Sequence, residues 1–198
     1  MLICSANDGI EMHLLEERHA EELLGLAEGW EHRPHANEWL FPGTSPDAAR
    51  AFIRGHLERF SRGRGFAAGI WLEEHLVGVI CLNIGGVLGV DVPRPVTASI
   101  DYALTPAARG KGIMTKACAA VIGYAFGGYP LNRIEITPDV ANPKSCAIPE
   151  RLGFTREGIL RQMVSYGDFF GDIAVYSLLR SEWEGRRRRN TGVERDDS

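Results

Sequence analysis

The segment from Pro95 to Pro138 constrains the fold most, because it reads as strand, glycine-rich turn, helix and strand in unbroken succession. PVTASIDYALTP is rich in β-formers and stops at Pro106, and RGKGIMT follows at residues 109–115. KACAAVIGYAFG is an alanine-rich helix ended by Gly127 and Gly128, and LNRIEITP sets Ile134 and Ile136 on one face of a strand. Two strands joined through a helix pair in parallel, so this unit belongs inside a sheet with helices against it.

The flanking segments extend that unit. IEMHLLE, residues 10–16, reads as a first strand, and the helix after it places Ala20, Leu23, Leu24 and Ala27 on one side. A second helix starts with Ser45 as N-cap, Pro46 at the first helical position and Asp47 in the first turn. GFAAGIWLEE and HLVGVICLNIGG form a hairpin about a turn at Glu73 to His75. NPKSCAIPERLGF gives a further helix, capped by Asn142 and stopped at Gly153, and a last hairpin ends in the strand IAVYSLL. The order predicts an α/β (α+β) domain over residues 1–184, with a mixed sheet of six to seven strands and helices on both faces. EGRRRRNTGVERDDS lacks apolar periodicity, so residues 185–198 are expected to form a disordered polar tail.

Composition excludes several classes. A hydrophobic share of 44% with 24% charged residues is that of a folded globular chain, and 198 residues fit one domain. A net charge of -4 argues against nucleic acid as the partner, and no apolar run is long enough for a membrane span or signal core. The four cysteines are scattered without CxxC or metal-ligand spacing, which predicts reduced thiols in a cytoplasm and no metal. Cys118 has no base in reach of its motif and reads as packing, not as a nucleophile.

RGKGIMT is a candidate anion site. A glycine-rich turn before a helix presents backbone N–H groups without intrahelical partners at the positive end of the helix dipole. Gly110 and Gly112 let the backbone approach an anion, and Arg109 and Lys111 add charge; alone, the same residues could be a solvated loop. GxxxxGK[ST], GxGxxG after a strand, HExxH and GxSxG are all absent.

IDYALTPAARGKGIMTKA, then NPKSCAIPERLGFTREG, then IAVYSLL, in that order, closely resemble the GNAT acyltransferases, and within them the RimJ/RimL branch that acetylates N-terminal amines of ribosomal proteins. The resemblance runs nearly to Trp183. It implies the GNAT fold with splayed central parallel strands, acetyl-CoA as acyl donor, no metal, and a homodimer or higher homo-oligomer. It also implies that Arg109, Gly110, Lys111, Gly112, Ile113, Met114 and Thr115 wrap the pyrophosphate. Met114 departs from the family's small residue, but its N–H serves regardless. Tyr102, Ala103 and Leu104 would line the pantetheine arm, and the Leu104 N–H would face the thioester carbonyl as an oxyanion donor.

Acyl transfer needs a proton taken from the amine and one returned to the sulfur. The family's usual tyrosine acid falls at Pro149, so the resemblance points to Ser145, with Tyr176 as second choice. Ser145 also reads as a capping hydroxyl that could hold the cofactor, and Asn142 as a cap that also bonds the pantetheine. Base candidates are Glu38, Asp101, Glu135 and Asp172; Asp101 leads because it interrupts an apolar strand. ANEWLFPGTS matches a wall of the acceptor groove, with Glu38, Trp39 and Leu40 as contacts and Trp30, His35 and Phe41 near. The acceptor is an N-terminal α-amine of a protein or a small amine such as an antibiotic or polyamine, the donor could be another acyl-CoA, and a CoA-binding sensor without turnover is the reading of another class.

Overall fold

A computed structural model describes residues 1–28, 45–87, 90–91 and 96–191. Trp30, His35, Glu38, Trp39, Leu40 and Phe41 lie outside the described residues. The strands are β1 (Leu2–Ala6), β2 (Ile10–Leu14), β3 (Gly65–Leu72), β4 (His75–Ile84), β5 (Gly86–Val87), β6 (Val90–Asp91), β7 (Thr97–Leu104), β8 (Arg133–Ile136), β9 (Thr155–Ser165) and β10 (Phe170–Leu179). The helices are α1 (Ala20–Glu28), α2 (Pro46–Ser61), α3 (Ile113–Gly128), α4 (Pro143–Arg151) and α5 (Arg180–Thr191). β5 and β6 pair only with each other, and the other strands form one mixed sheet ordered β1-β2-β3-β4-β7-β8-β10-β9.

The sheet therefore has eight strands, not six or seven. The addition is β1: LICSA is too short to show alternation, yet it pairs antiparallel with β2 across the turn at Asp8 and Gly9. α1 and α2 cover one face, where Leu15, Leu23, Phe52, Ile53, Val79 and Cys81 pack together. α3, α4 and α5 lie on the other, over Phe66, Ile80, Leu82, Ile100, Ile134 and Tyr176. Each such side chain contributes roughly 1.5–3 kcal/mol by leaving water.

Local signals start the helices as expected. Ser45 Oγ accepts from Ala48 N at 3.2 Å, and Asn142 Oδ1 accepts from Ser145 N at 3.1 Å. The expectation of a disordered tail from 185 fails through Thr191, because tertiary bonds hold a helix that its sequence does not favour. Arg180 donates to the carbonyls of Phe126, Tyr129 and Leu131 at 2.6 to 2.7 Å, and its guanidinium lies over the Phe126 ring. Trp183 packs on Phe126, and Arg186 donates to the carbonyls of Leu152 and Gly153. α5 thus caps the C-terminal ends of α3 and α4 with cations, which also suits their dipoles. Residues 192–198 lie outside the described residues.

Candidate active site

β7 and β8 pair in parallel only at Thr97–Ser99 against Arg133–Glu135. Beyond Ser99, β7 keeps its antiparallel partner β4 through Leu104, while the chain after β8 follows β10: Ala174 N donates to Pro138 O, and Asp139 bridges Ile173. The two central strands part, and the gap opens along Ile100 to Leu104. Thr105 N bonds Val77 O on the β4 side, so alternation directs the N–H and carbonyl of Leu104 toward the gap. That carbonyl accepts Arg109 Nε at 3.1 Å, which ties the RGKG turn to the end of β7.

The turn leads into α3 through Gly112, its N-cap, at φ 75°, and Gly110 has φ 77°. A Cβ at either position would meet nothing within 4 Å, so glycine is needed there for the left-handed backbone and the space above the turn is open. Ile113 and Met114 turn their side chains into the core, which leaves the first N–H groups of α3 to the turn and explains why a large residue is accepted at 114. Lys111 is exposed; Lys116, next in the helix, pairs with Asp8. A helix N-terminus open above its glycine turn and set beside parted strands suits a phosphate-bearing acyl carrier threaded between them.

Alternation along β7 sorts its side chains. Tyr102 points to the α3/α4 face, where Ser145 Oγ donates to its hydroxyl at 3.3 Å and the phenol donates to Ser145 O at 3.3 Å. Burial pushes the Tyr102 phenol above its usual range, so it stays protonated. Asp101 and Ala103 point to the α1/α2 face, with Asp101 opposite Cys81. Asp101 is half-buried, accepts Asn83 Nδ2 at 2.8 Å, and is pushed up to about 6, burial outweighing that bond. Ser145 and Asp101 thus flank the gap from opposite faces of the sheet.

The remaining candidates are engaged elsewhere. Glu135 pairs with Arg133 at 2.6 Å, and Asp172 Oδ1 accepts Gln162 N at 2.8 Å, where β9 turns through a positive φ. Tyr176 is 2% exposed and donates to Glu150 at 2.7 Å; burial pushes it up to about 12. Cys81 and Cys118 are buried thiols raised above their usual range by burial, consistent with packing. Two side chains bonded to the candidates were not signalled by the sequence: the Tyr102 hydroxyl, since Tyr102 was expected to line the pantetheine arm as part of the strand, and Asn83, which was not singled out although it is the one polar residue in VICLNI.

Parted strands, an open glycine turn and a capped α4 N-terminus define an acyl-CoA-dependent acyltransferase, and the chain belongs to the GNAT family: the acetyltransferase (GNAT) domain matches residues 10–155. It is an N-acetyltransferase that uses acetyl-CoA. It is 35% identical over 192 residues to the "Putative ribosomal N-acetyltransferase YdaF" of Bacillus subtilis (strain 168), covering 94% of this chain and 100% of that protein. It is 28% identical over 176 residues to the ribosomal-protein-serine acetyltransferase of Escherichia coli (strain K12), covering 87% and 94%. Among solved structures, the microcin C7 self-immunity acetyltransferase MccE in complex with acetyl-CoA and AMP superposes with a TM-score of 0.73 at 27% identity, covering 87% of this chain and 93% of that one. Among the described residues no helix is long and apolar enough to cross a membrane, and no group of three His, Cys, Asp or Glu could hold a metal.

Proposed function

We propose that this chain acetylates the N-terminal α-amine of a protein, with a ribosomal protein as the leading acceptor. The observation that carries the reading is near full-length kinship to YdaF and to the Escherichia coli ribosomal-protein-serine acetyltransferase. Acetyl-CoA supplies the acetyl group: the amine lone pair forms the C–N bond, the C–S bond breaks, and the sulfur leaves with a proton. Ile113, Met114 and Thr115 N–H would hold the phosphates, with Arg109, Gly110, Lys111 and Gly112 shaping the turn. Tyr102, Ala103, Leu104 and Asn142 would line the pantetheine, and the Leu104 N–H would meet negative charge developing on the carbonyl oxygen.

Asp101 is the base in this reading. It would take one proton from the ammonium on the α1/α2 face, where a carboxyl near 6 is largely ionised at neutral pH. Ser145 is the acid and would give its proton to the sulfur on the opposite face, steadied by Tyr102, and the second proton that the nitrogen sheds as the intermediate collapses would restore the serine hydroxyl. Glu38, Trp39 and Leu40 would contact the acceptor. A homodimer or higher homo-oligomer is part of the reading, supported by exposed Ile159, Leu160 and Met163 on the edge strand β9. Free thiols at all four cysteines support the cytoplasm as its compartment.

The test is thiol release from acetyl-CoA with peptides bearing N-terminal serine or alanine, set against polyamines and aminonucleotides. Release with peptides alone supports the reading. Release only with small amines transfers the assignment to a small-molecule acetyltransferase, the second reading, which the likeness to MccE favours.

A further inference from the structure

Asn83 is out of place in its strand. Its neighbours Val79, Ile80, Cys81, Leu82 and Ile84 are all apolar and at most 4% exposed. Asparagine is depleted in strands, and an amide leaves water at a cost unless its bonds are replaced. Here one bond is replaced, and by a carboxylate: Asn83 Nδ2 donates to Asp101 Oδ2 at 2.8 Å. The register sets Asn83 opposite Ser99, so Asp101 is its diagonal neighbour on the same face, within reach of a short polar side chain. Among the described residues Asn83 is the sole hydrogen-bond partner of that carboxyl, and Oδ1 is left without one. Asp101 is also two residues past Ser99, the last residue of β7 that pairs with β8, so the carboxyl sits where the sheet has begun to open.

We propose that Asn83 is a positioning residue for acetyl transfer: its amide holds Oδ2 of Asp101, so that Oδ1 faces the acceptor's ammonium on the α1/α2 side of the gap. The inference rests on Asp101 as the base. One proton passes from the ammonium to the carboxylate, leaving a neutral amine with its lone pair and a carboxylic acid, and no co-reactant is required. A purely apolar pair at 83 and 101 would pack into this face at less cost, and a lone buried carboxyl would stay protonated into the working pH range. The amide opposes that by bonding the charged form. Among the described residues, the titratable or charged groups nearest Asp101 on this face include Cys81 on β4, Glu135 and Arg133 on β8, Glu157 on β9, and His56 and Arg59 on α2. Cys81 is held neutral by burial, Glu135 and Glu157 both pair with Arg133, and His56 is lowered to about 4 by burial and by Arg59.

Wild type, Asn83→Leu, Asn83→Asp and Asp101→Asn are compared in two measurements. The first is the pH profile of kcat/KM with acetyl-CoA and a peptide bearing an N-terminal serine. The second is titration of the Asp101 carboxyl carbon by NMR in 13C-aspartate-labelled protein, with Asp101→Asn supplying the assignment. Asn83→Leu is expected to raise both the acidic limb and the carboxyl titration by about one pH unit, and to lower kcat/KM about tenfold at neutral pH with recovery at higher pH. Asn83→Asp, isosteric and able to fold if the leucine variant does not, raises them further, because two carboxylates then share one proton. Variants that keep the wild-type limb and the wild-type Asp101 titration overturn the role of Asn83. Wild-type kcat/KM in Asp101→Asn overturns the base assignment instead, whatever the Asn83 variants do.

Discussion

Ser145 Oγ stands 3.3 Å from the hydroxyl of Tyr102, joining the first turn of α4 to the strand that lines the gap. The two residues act as one unit if Tyr102 orients the serine hydroxyl, and their substitutions should then not add. Ser145→Ala is expected to lower kcat/KM about a hundredfold, Tyr102→Phe about tenfold, and the double variant no more than Ser145→Ala alone. Steady-state kinetics of the four proteins check this. Multiplying effects would mean that the residues contribute separately.

Gly112 is a conformational requirement, since a Cβ there meets open space at φ 75°. Gly112→Ala should cost about 1 kcal/mol through left-handed backbone strain, while Gly112→Asn, a residue that tolerates this region, should cost less. Gly112→Asp should further weaken CoA by setting a carboxylate beside the phosphates. Thermal melts with and without CoA separate the two effects. An unchanged CoA-induced shift in the aspartate variant would remove this turn from the binding site.

Asp101 should make the fold less stable as the pH rises. Its folded value of about 6 lies above the ordinary 3.8, so its contribution is fully present below pH 4 and is lost as pH rises through 6. Two units correspond to roughly 3 kcal/mol. Asp101→Asn is therefore expected to raise the unfolding free energy more at pH 8 than at pH 4, while acetyl transfer falls. Urea denaturation at both values measures the difference, and equal effects at the two pH values would contradict a buried, raised carboxyl.

Arg180 replaces the missing partners of three carbonyls near the end of α3. Arg180→Met keeps the apolar stem but strips those bonds, and should cost about 3 kcal/mol. Because the same substitution leaves the turn at Gly112 untouched, kcat at low temperature should be close to wild type. Calorimetry combined with activity at 10 °C tests both halves.

What could be read in the sequence was local. Ser45 and Asn142 announced their helices because a cap, a proline and a periodic face lie within a few residues. The parting of β7 from β8 came only through family resemblance; nothing in SIDYAL says where pairing stops. β1 was invisible because its evidence is a partner strand. α5 was misjudged because Arg187, Arg188 and Arg189 are solvated as they look, while Arg186 and Trp183 show their partners only once Leu152, Gly153 and Phe126 are placed beneath the helix. Asn83 illustrates the same limit at the site: its diagonal relation to Asp101 depends on the β4–β7 register, which neither strand encodes alone.

The arginine clasp of α5 also bears on the order of events during synthesis. Arg180 bonds a carbonyl 54 residues earlier, and every strand of the sheet is translated before it. The C-terminal ends of α3 and α4 therefore gain their cations only from residues made after the last strand of the sheet, so the clasp comes last in chain order.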